Sequence, residues 1–272
     1  MDAGDAAALL WYHTFDLPDG SITPGLFDTR PVLDKIPLPA DVSGLRCLDA
    51  AASDGFFGFE LARRGASEVV SLDLADNSQQ DYQRRHSTDV GRVNDRPTAC
   101  FELIKAARGQ DNITRVDLSL YDANPDAIGT FDFVFVGNIL LHLSDPIRAL
   151  AALFEVVKPG GRLLSVETVA VGLSLLTRHP VASLFQAEDD GGGARNDFNM
   201  FWIPNASAHR GVVRGGGFDV VDHSKRLFFQ PVGGHRPRRP RAVPRSMREL
   251  RYWTVTRPFG LPSSWVLGER TH

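Results

Sequence analysis

Five short apolar runs recur along the chain, each nearly continuous in Val, Leu, Ile and Phe: Leu45–Ala51, Glu68–Leu74, Ile113–Leu118, Phe131–Gly137 and Arg162–Thr168. Runs of this length without polar alternation read as parallel strands covered on both faces. Helical patterns lie between them. In Phe56–Arg64 the apolar Phe57, Phe59 and Leu61 oppose the charged Glu60, Arg63 and Arg64, and Gly65 supplies the stop. Pro146–Val157 reads as a second helix, with Asp145 as N-cap, Pro146 in the first turn, and Pro159-Gly160-Gly161 ending it. Strand–helix alternation of this kind implies right-handed crossovers and a parallel sheet. Two later segments, Phe218–Phe229 and Leu250–Arg257, are expected to complete the sheet as an antiparallel pair. The predicted class is α/β, a doubly wound Rossmann-like sheet, mostly parallel with its last strand antiparallel. A lead-in over residues 1–40 precedes the main domain, residues 41–272.

Three stretches lie outside this scheme. Trp11–Pro39 is marked by aromatics and prolines, Asn77–Asn112 is a long polar insertion, and His179–Asn205 carries Gly191-Gly192-Gly193 followed by the aromatic Phe198–Trp202. Loops of this length in a compact domain often serve as lids or substrate walls. A further run holds Arg236, Arg238, Arg239, Arg241, Arg245 and Arg248. It reads as a solvated hairpin connection or as a contact for phosphate, nucleic acid or an acidic partner.

Composition narrows the function classes. With 272 residues, 43% hydrophobic and 23% charged, the chain has the make-up of an ordinary globular domain. A formal net charge of −3 speaks against binding nucleic acid through overall charge. Two cysteines, Cys47 and Cys100, are too few for a disulfide framework and lack metal-ligand spacing. The first residues contain acids and no basic n-region, and no apolar run approaches the roughly 20 residues needed to cross a bilayer. A cytoplasmic protein is expected.

The most informative stretch is Leu48-Asp49-Ala50-Ala51-Ala52-Ser53-Asp54-Gly55-Phe56-Phe57-Gly58. A strand ends, small residues let the backbone approach a ligand, and a helix opens. Ligands of open α/β sheets bind at the carboxyl ends of strands. A pyrophosphate would call for G-x-G-x-x-G. Here Ala50 and Ala52 stand where glycines would, and Asp49 and Asp54 are added. Acids are poor neighbours for pyrophosphate but suit an ammonium group. Asp73 closes the second strand 24 residues after Asp49, a distance suited to gripping a ribose. Asp117 and Leu118 stand where an adenine can be read, with a plain surface acid as the alternative for Asp117.

On these residues the chain resembles class I S-adenosylmethionine-dependent methyltransferases. The branch is that of the tRNA carboxymethoxyuridine methyltransferases and related sugar O-methyltransferases, including the methylated-polysaccharide type of mycobacteria. Further markers are Trp11-Tyr12-His13, Asp19-Gly20, Thr23-Pro24-Gly25, Phe131-Asp132, Leu141-His142, Pro159-Gly160-Gly161, Glu167-Thr168, Phe201-Trp202-Ile203-Pro204 and Gly216-Gly217-Phe218. The resemblance implies that Asp49, Ala50, Ala51, Ser53, Gly55 and Phe56 surround the methionine part of S-adenosylmethionine. It further implies that Asp73 with Leu74 holds the ribose, and that Asp117, Leu118 and Asn138 flank the adenine side. Leu141 stands where the tRNA enzymes that use a carboxylated cofactor carry tyrosine, so ordinary S-adenosylmethionine is expected and tRNA is disfavoured as substrate.

Methyl transfer needs an aligned acceptor and removal of its proton. His142, just beyond the fourth strand, is the expected general base, with helix capping as its other role. Glu167, at the end of the fifth strand, can orient His142, join it at a divalent metal, or bind a substrate hydroxyl. His13, Phe198 and Trp202 are expected to face the substrate, and Tyr12 and Arg30 the cofactor. The activity expected is O-methylation of a sugar or similar small polar acceptor. The runner-up is an RNA methyltransferase using the arginine run, and a third class is a cofactor-binding protein without catalysis. A divalent metal is allowed but not demanded.

Overall fold

A computed structural model describes residues 9–75, 79–81, 97–184, 200–232 and 260–272. Strands β1 (Arg46–Ala50), β2 (Glu68–Asp73), β3 (Ile113–Asp117), β4 (Phe131–Gly137) and β5 (Val157–Thr168) pair in parallel. After a small hairpin of β6 (Ala182–Leu184) and β7 (Trp202–Pro204) come β8 (Asp219–His223), β9 (Phe228–Gln230) and β10 (Leu261–Glu269). The main sheet runs β3-β2-β1-β4-β5-β10-β8, with β9 beside β10, and β10 is antiparallel to all three of its neighbours. Helices are α1 (Phe56–Arg63), α2 (Pro97–Arg108), α3 (Pro125–Ile128), α4 (Pro146–Val156), α5 (Val171–Leu176) and α6 (Ala206–Gly215).

The apolar runs of β1, β2, β4 and β5 form strands covered on both sheet faces, whereas β3, at the edge, buries Ile113 alone. One core cluster contains Phe59, Phe101, Ile104 and Phe135. The other contains Leu150, Leu153, Val213 and Phe218. Helix α4 buries Ala149, Leu150, Leu153 and Val156, a stripe at helical spacing. Its Asp145 cap accepts the Arg148 amide at 3.0 Å, and Pro146 needs no amide partner there. Phe57 of α1 stacks on Phe135 of β4 with centroids 3.8 Å apart, worth about 0.5–1.5 kcal/mol beyond area burial. The lead-in joins this packing: Trp11 and Phe15 are fully buried in the first cluster.

The order β3-β2-β1-β4-β5 places a switch point between β1 and β4, where the connections change direction. Ligand sites of such sheets open there, at the strands' carboxyl ends.

Several elements differ from the sequence reading. The predicted strand at Leu250–Arg257 lies outside the described residues, and the antiparallel strand beside β5 is Leu261–Glu269 instead. Its Pro262, Ser263, Ser264 and Gly268 mask the apolar signal. Phe218–Phe229 divides into β8 and β9. The insertion contains helix α2, and β5 begins at Val157, with a register irregularity where Phe131 and Phe133 pair with it. Helix α6 carries His209, which links Ser165 Oγ (2.9 Å) and Ser264 Oγ (2.8 Å). Burial lowers the pKa of its imidazole to about 3. That polar staple is invisible to a search for apolar stripes. Among the described residues no helix is long and apolar enough to cross a membrane.

Candidate active site

Asp49, Ala51, Ser53, Asp73, Asn138 and Glu167 all gather at the carboxyl ends of β1, β2, β4 and β5. The backbone there is unusual. Among the described residues the non-glycine residues with positive φ are Ala51 (60°), Ser53 (53°) and Asn138 (53°). Each costs roughly 1–3 kcal/mol, and such outliers cluster at ligand sites. Gly55 (φ 85°) completes the curl into α1, and an added Cβ would come 2.6 Å from the Phe101 ring. At Gly58 a Cβ would meet Ser71 Oγ at 2.4 Å, so helix and strand pack closely only with glycine there. Phe56 packs against His13 and Phe15, with centroids 5.4 and 5.5 Å away, as part of the wall.

Asp49 is buried, and its Oδ2 accepts the Gly58 amide at 2.7 Å. Burial pushes its carboxyl up to about 7, opposed by that amide and by nearby His13. Asp73 takes the amides of Ser53 and Leu74. Burial raises its pKa too, opposed first by the Arg115 guanidinium. A cavity opens beside Asp73, walled by Ala51, Leu74, Leu118, Tyr121, Ile139 and Leu143. Leu118 is thus at the cavity, whereas Asp117 is exposed and its side chain pairs with Arg115 at 3.1 Å. Asn138 lies at the other end: its amide group meets Gln230 Oε1 at 3.1 Å and accepts from Thr168 Oγ1 at 3.1 Å. Arg30 is turned to Asp28 and Asp16 within the lead-in.

Two residues organise this edge: Arg115, which was missed in the sequence, and Asp54, which was read there as a partner for an ammonium group. Arg115, its side chain 4% exposed, donates to Ser53 O at 2.7 Å and Leu74 O at 3.0 Å, tying the loop after β1 to the end of β2. Its signal was a basic residue between Thr114 and Val116, inside the run that predicts the third strand. Asp54, fully buried, accepts the amides of Tyr12 (2.9 Å) and His13 (2.8 Å) and meets His13 Nδ1 at 2.5 Å. The lead-in is therefore latched to the loop, with His13 in the latch. Burial, then the charges of Asp54, Glu167 and Asp73, hold the Tyr12 phenol far above its usual range.

His142 ends a 3₁₀ turn, Leu140–His142, and is half-buried, with its amide on Ile139 O at 2.8 Å. Glu167 is buried, and its Oε1 accepts the amides of Ile139 and Leu140, each at 3.1 Å. Burial pushes this carboxyl up to about 8 against those amides. Trp202 donates its indole N–H to Leu143 O at 3.3 Å, and the Phe201 amide donates to Leu141 O at 2.9 Å, so β7 braces the His142 turn. Phe198 and the arginine run lie outside the described residues. Among the described residues no three His, Cys, Asp or Glu side chains converge as metal ligands.

The acid closing β2 suits a ribose diol, the apolar walls of Leu74, Leu118 and Ile139 suit a purine, and the acidic loop after β1 suits an ammonium. These residues fit S-adenosylmethionine. Comparison with known proteins agrees. Residues 48–165 match the methyltransferase domain family. The ubiquinone biosynthesis O-methyltransferase of Xanthomonas oryzae pv. oryzae (strain PXO99A) is 30% identical over 188 residues, 67% of this chain and 62% of that protein. The match thus spans under two thirds of that relative's length. The Neisseria meningitidis serogroup A enzyme of the same name is 28% identical over 198 residues, 72% of this chain and 74% of that protein. Among solved structures, a Burkholderia thailandensis 1,6-didemethyltoxoflavin-N1-methyltransferase with bound S-adenosylhomocysteine superposes with a TM-score of 0.51 at 15% identity. It covers 85% of this chain and 72% of its own. An S-adenosylmethionine-dependent methyltransferase from Mesorhizobium loti gives 0.50 at 16% identity, over 89% and 97% of the two chains.

The mostly parallel sheet with its antiparallel last strand is thus the Rossmann-like methyltransferase fold. Residues 48–165 are thus similar to the methyltransferase domain family.

Proposed function

We propose that the whole protein is an S-adenosylmethionine-dependent O-methyltransferase acting on a hydroxyl of a small molecule, with His142 as general base. The observation that carries this reading is the carboxyl edge itself, where the left-handed Ala51 lines the apolar cavity beside Asp73 and the left-handed Ser53 donates its amide to that acid. Asp73 would take the ribose hydroxyls, Leu74, Leu118 and Ile139 the adenine, and the 51–55 loop with Asp49 the methionine portion. When bound, the cofactor supplies a methyl group on a positively charged sulfur. The chain's own part is alignment and proton removal. His142, on the turn after β4, takes the acceptor's proton, a contribution of typically ~10²–10⁴-fold. The turn that carries it is held by Glu167 and braced by β7, which supports a fixed position for the base.

The sequence resemblance favours a sugar hydroxyl. A second acceptor class, the hydroxyl of a quinone precursor, is favoured by the names of the Xanthomonas and Neisseria relatives. RNA as acceptor is disfavoured by the net charge of −3.

Calorimetric titration with S-adenosylmethionine comes first, followed by methyl-transfer assays on methyl glucoside and on catechol. Micromolar cofactor binding with transfer to either probe, abolished at least 100-fold in His142→Ala, supports the reading. A folded wild-type protein that does not bind the cofactor refutes it.

A further inference from the structure

We infer that Glu167 handles the acceptor in two ways: Oε1 positions the turn that carries His142, and Oε2 hydrogen-bonds the hydroxyl of an uncharged acceptor. This inference rests on the O-methyl transfer reading above. Oε1 accepts two consecutive amides, Ile139 and Leu140, which open the His142 turn. Oε2, by contrast, is buried with no hydrogen-bond partner among the described residues, although Glu167 is only 1% exposed. A buried oxygen without a partner costs roughly 1–3 kcal/mol and calls for an explanation. A ligand group that completes the bond supplies one.

The strand order says which ligand. Adenosine belongs to the ends of β2 and β3, beside Asp73 and Leu118. Glu167 ends β5, two strands beyond β1. At about 4.8 Å per strand, that is roughly 10 Å from the cofactor loop, toward the acceptor. Charge then narrows the acceptor. Besides Glu167 itself, two carboxyls, Asp54 and Asp73, lie within electrostatic reach of Tyr12 and border this region. Arg115 is committed to Ser53, Leu74 and Asp117. An anionic acceptor meets repulsion here, and a neutral hydroxyl compound does not. Burial keeps the Glu167 carboxyl protonated at neutral pH, so Oε2 carries a hydrogen to donate.

Three forms of the full chain test this: wild type, Glu167→Ala and Glu167→Gln, whose amide keeps an acceptor oxygen and a donor. Glutamine should leave amide exchange at Ile139 and Leu140 slow and the acceptor KM within about threefold of wild type. Alanine should speed that exchange at least tenfold and raise KM at least tenfold, for whichever of methyl glucoside and catechol is turned over. The productive probe tells an aliphatic acceptor from an aromatic one. If the alanine variant unfolds, Glu167→Met removes both oxygens while filling the volume. Unchanged exchange in the alanine variant overturns the positioning half. A fall in kcat with KM unchanged overturns the acceptor half. So does a glutamine variant as impaired as alanine, or failure of cofactor-saturated wild type to bind either probe by saturation-transfer NMR. Loss of wild-type cofactor binding would show separately, and refutes the methyl-transfer reading itself.

Discussion

The two edges of the central sheet treat charge in opposite ways. At the amino edge, where β1, β2, β4 and β5 begin, every prominent charge has a partner. Arg46 forks onto Glu68 at 2.7 and 3.0 Å, donates to Ile128 O and Thr130 O, and lies over Phe131. Lys158 binds Asp132 at 2.8 Å, and Arg162 reaches Glu269 at 3.1 Å. Arg270 donates to the carbonyls of Phe154, Glu155 and Val157 at the end of α4. Hydrogen bonds from Arg46 hold Glu68 below its ordinary pKa. At the carboxyl edge, Asp49 and Glu167 are buried without an ion pair among the described residues, and burial pushes them up to about 7 and about 8. One edge is neutralised for stability. The other keeps acids whose ionisation is unfavourable until something binds, the arrangement expected of a site that receives a cationic cofactor.

The sharpest way to break this contrast is Asp73→Ala. Loss of a charged acceptor for two ribose hydroxyls should weaken S-adenosylmethionine binding by about 3 kcal/mol, on the order of 100-fold by calorimetry. An unchanged Kd would remove Asp73 from the cofactor site. Next in size, Arg115→Ala should cost about tenfold in the same titration, because the loops after β1 and β2 lose their shared tie.

The pH dependence of stability separates the edges. Unfolded, Asp49 and Glu167 ionise near 3.8 and 4.5; folded, they resist until about 7 and 8. The native protein therefore binds more protons across that window, and these two groups lower stability as pH rises through it. Glu68 has the opposite sign. Its folded pKa is depressed, so its contribution is present above about 4.5 and fades as pH falls further. His209 adds a loss as pH falls below 6.5. Urea midpoints from pH 5 to 8 should accordingly fall less in Asp49→Asn than in wild type; parallel curves would mean that Asp49 is not a buried acid. The smallest effect belongs to Arg46→Ala. Its pair with Glu68 is partly exposed and worth about 0–1 kcal/mol, and the two carbonyls it serves add about as much again. Tm should drop by a few degrees with cofactor affinity unchanged.

Much of this was legible in the chain. All five runs became the parallel strands; for β1, β2, β4 and β5 the reason is that apolar runs of this kind leave few options other than a sheet covered on both sides, while β3 takes the edge with only Ile113 buried. Asp49 and Asp73 could be picked out because each lies near the carboxyl end of such a run, where the sites of open sheets are expected. The final strand Leu261–Glu269 was not legible: Ser263 and Ser264 are buried there by contacts from distant residues, His209 and Gln230.

The chain alone determined the fold class and which acids stand at the carboxyl ends of the strands, since these follow from periodicity and from which residues lie near the end of each strand. Only the tertiary structure decided which of those acids are buried, which are tied, and to what. Asp54 and His13 lie 41 residues apart, and Arg115 spans 62 residues to reach Ser53. Burial and hydrogen-bond partnership are properties of the space between elements, and no local pattern records them.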